Sequence, residues 1–180
     1  MSRTAVVVEV PAAERLVDEW ADVSGVARDP GVPAHVTVLY PFVHPAELPD
    51  AVERMRRLCS EMAPFVATLT HVGVFPGAVW LAPEPAESFR GLTTRLVSSF
   101  GGLAPYGGAF RQITPHLTVL MGDPAARPDV LRRMLVGLDA ELPIEFQAVG
   151  LTVLALNDDQ VWERYARVPF GSAIPQEVMS

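Results

Sequence analysis

The stretch His35-Val36-Thr37-Val38-Leu39 returns as His116-Leu117-Thr118-Val119-Leu120, at an offset of 81. Downstream of each copy, Pro45, Ala46, Pro49, Asp50, Arg54 and Met55 return as Pro124, Ala125, Pro128, Asp129, Arg133 and Met134 at a steady offset of 79. Farther on, Phe65 and Ala67 return as Phe146 and Ala148, again offset by 81. The period is that of a half-domain, far longer than the repeat of a solenoid. Whatever one half folds into, the other must fold into as well.

Hydrophobic period and chain breakers supply the unit that is repeated. Residues 3–10 read as a strand, AAERLVDEWADV follows with helical spacing, and a Gly/Pro-punctuated loop leads to the strand HVTVLY. The helix ELPDAVERMRRLCSEM and the strand FVATLTHVGVF complete the first half. The second half keeps this order: strand VWLAP, helix ESFRGLTTRLVSSF, a long loop, strand HLTVLM, helix PDVLRRMLVGLDAEL and strand IEFQAVGLTVLAL. After a turn at Asn157-Asp158-Asp159, a last strand spans about 160–169. The repeats therefore run over about 3–75 and 78–156 of a single two-lobed domain, 1–180. The expected fold is α+β and bilobal, with two sheets related by an approximate two-fold axis facing a central cleft and helices on the outside.

On a strand, residues i and i+2 share a face. His35 and Thr37 are presented together while Val36 and Val38 turn inward, and His116 and Thr118 stand likewise against Leu117 and Val119. With four histidines and nine threonines in the chain, roughly 0.2 His-x-Thr matches are expected by chance. Two copies at equivalent points of a duplication therefore carry weight. The chemistry that uses such a set is cleavage of a phosphate ester without a metal. A histidine can take the proton of an attacking hydroxyl or water, a second can protonate the leaving oxygen, and hydroxyls can donate to the nonbridging oxygens.

Charge narrows the partner. A formal net charge of −7 argues against gripping long nucleic acid by general electrostatics and leaves a small or end-bound anionic substrate. All 14 cations are arginine, whose planar fork suits phosphate oxygens, although compositional bias accounts for most of them. The single cysteine, Cys59, excludes a disulfide framework and a cysteine metal site. No stretch approaches the roughly 20 apolar residues of a membrane span, and AVVVEVP is too short for a secretory leader. A cytoplasmic monomer that binds no membrane is the expectation.

The paired motifs in a duplicated α/β chain of this size resemble the two-histidine phosphoesterase superfamily, in its branch of 2′-5′ RNA ligase-like proteins and cyclic nucleotide phosphodiesterases. The resemblance covers nearly the whole chain. It implies His35 and His116 as catalytic acid and base, Thr37 and Thr118 as phosphate ligands, no metal or other cofactor, and a site in the central groove. It also implies a small nucleotide or RNA terminus as substrate, with 2′,3′-cyclic or 2′-5′-linked phosphodiesters cleaved and RNA in some cases ligated. Which histidine is the base stays open. A noncatalytic nucleotide or RNA-end binding module on the same fold is the alternative.

Around the motifs, Tyr40, Tyr106, Phe110 and Arg111 are candidates for substrate binding, by stacking on a base or pairing with a phosphate. Tyr40 and Phe42 also suit plain packing at a strand end. His44 and His71 lie outside any motif and read as surface or structural residues, so a third metal ligand at His71 is disfavoured. Trp20, Trp80 and Trp162 read as core anchors.

Overall fold

The computed structural model describes residues 3–109, 113–123 and 126–171. Among them, the strands are β1 (Thr4–Glu9), β2 (His35–Leu39), β3 (Phe65–Phe75), β4 (Ala78–Glu84), β5 (Leu117–Met121), β6 (Ile144–Ala148), β7 (Gly150–Leu156) and β8 (Trp162–Pro169). The helices are α1 (Glu14–Ser24), α2 (Leu48–Ser60), α3 (Ala86–Ser99) and α4 (Pro128–Glu141). Proline enters at the start of α2 and α4, where its missing N–H would have had no helical partner. Gly25 stops α1 in the left-handed conformation, at φ 66°.

All eight strands join one antiparallel sheet in the order β6-β3-β4-β5-β2-β1-β7-β8. The two sheets expected from the sequence are its two four-stranded halves, and they meet edge to edge. Their junction is a single registered pair, Val36 with Leu117. Leu117 is the repeat counterpart of Val36, so the local two-fold axis passes between them. The far ends obey the same axis. Phe65 pairs with Ala148 and Ala67 with Phe146, two pairs that exchange under the offset of 81. The registers of β1 on β2 and of β4 on β5 also slip at matching places, between Val6 and Val7 and between Val79 and Trp80.

The segment expected as one strand, 144–156, divides at Val149 into β6 and β7 because its two parts have different partners. The first lies on β3 and the second on β1. One polypeptide segment thus touches both halves of the sheet, which forces the sheet to curl.

The helices cover one face. Val36, Val38, Leu117 and Val119 are buried there among Leu16, Met55, Leu92 and Met134. Helices cross over between repeats, α1 packing on β5 and α3 on β2. On the other face Ala5, Val7 and Leu154 form a small cluster beneath Trp162, and the His-x-Thr side chains share this face.

Close packing around Trp80 depends on Gly73. A methyl at Gly73 would stand 2.1 Å from Cζ2 and 2.3 Å from Cε2 of the Trp80 ring. Gly73→Ala should cost about 1–3 kcal/mol, the usual penalty of overpacking, read as a lowered urea midpoint. An unchanged midpoint would mean the indole shifts freely.

Candidate active site

The site is built from the junction outward. With Val36 opposite Leu117 in antiparallel register, one further step each way sets His35 across from Thr118 and Thr37 across from His116. The apolar neighbours of all four are anchored under the helices, so the four polar side chains face the curled side. They are half-buried and together border a cleft of about 510 Å³.

Both imidazoles are oriented the same way. Nδ1 of His35 donates to the Pro33 carbonyl at 2.7 Å, and Nδ1 of His116 donates to the Thr114 carbonyl at 2.7 Å. A carbonyl can only accept, so Nδ1 carries the proton and each neutral ring keeps Nε2 as its available base. Nε2 of His35 lies 3.2 Å from the Thr37 hydroxyl. The residue before each of these carbonyls is also held by an arginine. Arg28 donates to the Val32 carbonyl at 2.7 Å and Arg90 to that of Ile113 at 3.3 Å. Val32 and Ile113 are again 81 apart. On the first side, Glu14 ties the loop down further by accepting from the Ala34 amide at 2.7 Å and from Arg28 at 2.7 Å.

Burial lowers the pKa of His35 below the ordinary 6.5. The Pro33 hydrogen bond opposes this, while the charges of His116 and Arg28 push it further down. Burial also lowers the pKa of His116, against the Thr114 hydrogen bond. Both rings are therefore held toward the neutral form.

The two halves differ in what surrounds them. His116 meets the ring of Phe75 edge-on at 5.2 Å and that of Trp80 at 6.0 Å. A second, mainly apolar cleft of about 510 Å³ opens beside it, bordered by Phe75, Tyr106, Ile113 and Met121. On the His35 side the corresponding register position is Val7, opposite Thr37 as Trp80 is opposite Thr118.

The expected substrate residues divide. Tyr106 borders both clefts, its hydroxyl bonded to Thr37 and its amide donating to the Tyr40 carbonyl at 2.5 Å. Burial raises the Tyr106 pKa, opposed by the Thr37 contact. Tyr40 is exposed at the cleft and touches Trp162 edge-on. Phe110 and Arg111 lie outside the described residues. Phe42 packs on Phe100 in the core, as its position at a strand end suggested. His44 caps a short 3-10 turn by accepting from the Ala46 amide, and His71 is exposed. Trp20 is buried against α4.

Trp80 is buried as expected but also backs a site histidine. Trp162 departs from the core-anchor reading: it is half-buried, because it covers the small cluster on the cleft side of the sheet. Phe75, Glu14 and Arg28 escaped sequence reasoning. None belongs to a motif, and only the fold brings them to the histidines. Among the described residues, no group of three or more His, Cys, Asp or Glu side chains is placed to hold a metal ion. Likewise, no helix is long and apolar enough to cross a membrane.

The curled antiparallel sheet carries the paired His-x-Thr strands at its centre, the arrangement that the resemblance to two-histidine phosphoesterases implies. The model of the 2′-5′ RNA ligase superfamily matches residues 8–160, and the chain belongs to that superfamily of phosphoesterase and RNA ligase-like enzymes. Among solved structures, TT0787 of Thermus thermophilus is similar over 95% of this chain and 100% of its own, with 24% identity and a TM-score of 0.65. Escherichia coli LigT complexed with 3′-AMP is similar over 95% and 99%, with 18% identity and a TM-score of 0.63. Kluyveromyces marxianus Usb1 with uridine monophosphate is similar over 93% and 98%, with 14% identity and a TM-score of 0.54. No curated protein sequence matches the chain.

The depressed histidines give stability a pH dependence of definite sign. As pH falls below 6.5, the unfolded chain takes up these protons before the folded one, so stability is full above that pH and is lost toward the lower folded values. Urea unfolding from about pH 7 to 5 should show this decline, and the double variant His35→Gln/His116→Gln should flatten it. Equal slopes in the two proteins would mean that the rings titrate normally.

Proposed function

We propose that the protein is a metal-independent phosphoesterase that hydrolyses a 2′,3′-cyclic or related phosphodiester of a nucleotide or RNA end. The observation carrying this reading is the placement of His35 across from Thr118 and Thr37 across from His116 around one strand junction. A phosphate above that junction meets two Nε2 atoms and two hydroxyls.

In this reaction, Nε2 of one histidine takes a proton from water as the water oxygen bonds to phosphorus. The other histidine, protonated at Nε2, gives its proton to the ribose oxygen as the P–O bond breaks. Each Nδ1–H stays on its carbonyl, so the rings do not rotate while they exchange protons. Thr37 turns from Nε2 of His35 toward a nonbridging oxygen, Thr118 donates to the other, and Tyr106 steadies Thr37. Burial favours the base role for either ring. The substrate's negative charge, brought close to both, raises the proton affinity of the acid partner. The two rings titrate as a coupled pair.

Solved relatives in complex with 3′-AMP and uridine monophosphate support a small nucleotide as ligand. The apolar cleft beside His116 offers Phe75 and Tyr106 as surfaces for a base.

The test is turnover of nucleoside 2′,3′-cyclic phosphates in excess EDTA. His35→Ala and His116→Ala should each lower kcat by about 10²-fold or more. Thr37→Val and Thr118→Val should each lower it by about 10²-fold. The profile of kcat/KM should be bell-shaped, with its acidic limb below pH 6.5, where the base takes up its proton. Retained rates in either histidine variant would remove that residue from the reaction. Tight nucleotide binding without turnover of any phosphodiester would instead identify a binding module.

A further inference from the structure

One charged cluster on the cleft face lies outside the reaction just described. Glu9 is the cross-strand partner of His35, so its side chain stands on the same face one strand away, a spacing of about 5 Å. Its carboxylate accepts from Arg164 at 3.0 and 3.1 Å, from Arg167 at 3.3 and 3.5 Å, and from the Thr152 hydroxyl at 2.8 Å. Burial pushes the Glu9 carboxyl up, but these bonds outweigh it and hold the pKa at about 2. One carboxylate thus accepts from two guanidiniums, and the charge of Glu14 also acts on Arg164.

Strand alternation alone would put Arg164 and Arg167, three residues apart, on opposite faces. They share a face because the register slips: Val153 lies opposite Ala166 and Leu154 opposite Arg164, leaving Tyr165 as the extra residue of a bulge. The bulge aims both guanidiniums at Glu9. Each uses Nε and Nη2 there, and Nη1 of each has no protein partner among the described residues. The side chains of Arg164 and Arg167 are 42% and 67% exposed, against 16% for Glu9. On the other half of the site, the position corresponding to Glu9 is Ala82, next along β4 from Leu81, so this charge exists on one side of the two-fold only.

We propose that Arg164 and Arg167 form a second anion subsite, which holds a phosphate of the substrate adjoining the one between the histidines. The proposal rests on the phosphoesterase reading and deepens it. The nucleoside then lies over the apolar His116 side, and the next phosphate lies over β1 and β7. A chain with a net charge of −7 can in this way favour an RNA end without a general basic surface.

The experiment compares kcat/KM for a nucleoside 2′,3′-cyclic phosphate, the same compound carrying a 5′-phosphate, and an oligoribonucleotide ending in a 2′,3′-cyclic phosphate. The protein should prefer the substrates with a second phosphate by about 10-fold or more, chiefly through KM. In Arg164→Gln/Arg167→Gln that ratio should collapse toward one, and the salt dependence for the oligonucleotide should lose about one unit of slope per arginine. Equal preference for the 5′-phosphorylated nucleotide and the oligonucleotide supports the subsite with a terminal phosphate as its ligand. Preference for the oligonucleotide alone supports it with an internucleotide phosphodiester. A variant that keeps the wild-type ratio, or loses rate equally on all three substrates, overturns the proposal. If the double variant does not fold, Arg167→Gln alone retains the Arg164 bridge and should lose part of the ratio. Should the parent cleave none of the three, the affinity of a 3′-phosphorylated oligonucleotide relative to a nucleoside 3′-phosphate reads the subsite without turnover. Loss of that affinity ratio in the variant would keep the subsite while the phosphoesterase reading fails.

Discussion

Everything at the candidate site hangs on the pairing of Val36 with Leu117. It is the one registered pair between the two halves of the sheet, and it joins a residue to its own repeat counterpart. An antiparallel pair of that kind admits only one arrangement of its neighbours, in which each histidine faces the threonine of the other copy. A slip of one residue would turn one His-x-Thr pair into the core and a valine or leucine into the cleft. Burial of Val36 and Leu117 under the crossed-over helices α3 and α1 opposes that slip. The hydrophobic effect on one face thereby fixes the polar geometry on the other.

Symmetry stops at the strands. Both imidazoles donate through Nδ1 to the carbonyl two residues upstream, and an arginine holds the carbonyl before that. Beyond these shared clamps the surroundings diverge. His116 is backed by Trp80 and Phe75, whereas His35 has Glu9 across the strand and the Arg28–Glu14 pair behind its loop. A duplicated frame supplies two equivalent groups for one phosphorus, and divergence of the flanks gives a bound substrate a direction.

Much of this was legible in the order of residues. Strand alternation in HVTVL and HLTVL marked which side chains go inward, because apolar burial at period two leaves little choice. The helices were readable for the same local reasons. The division of 144–156 into two strands was not, since Val149 differs from its neighbours only in which partner strand each side of it meets. Trp162 looked like core because a large aromatic in a strand usually is. In the fold it covers a small cluster on the cleft face instead. Arg164 and Arg167, three apart on a strand, gave no sign of sharing a face, because a bulge depends on the partner strand and leaves no mark in the spacing.

The sequence by itself determined the duplication, the two strands that carry His-x-Thr and the inward or outward sense of each residue on them. These depend on short-range periodicity, which a linear chain displays in full. Only the tertiary structure decided that the two strands are neighbours, that a histidine of one copy faces a threonine of the other, and that Glu9 gathers two arginines beside them. Those relations arise from pairings between residues up to 158 positions apart, and they are set by which faces can be buried together once the whole sheet has closed.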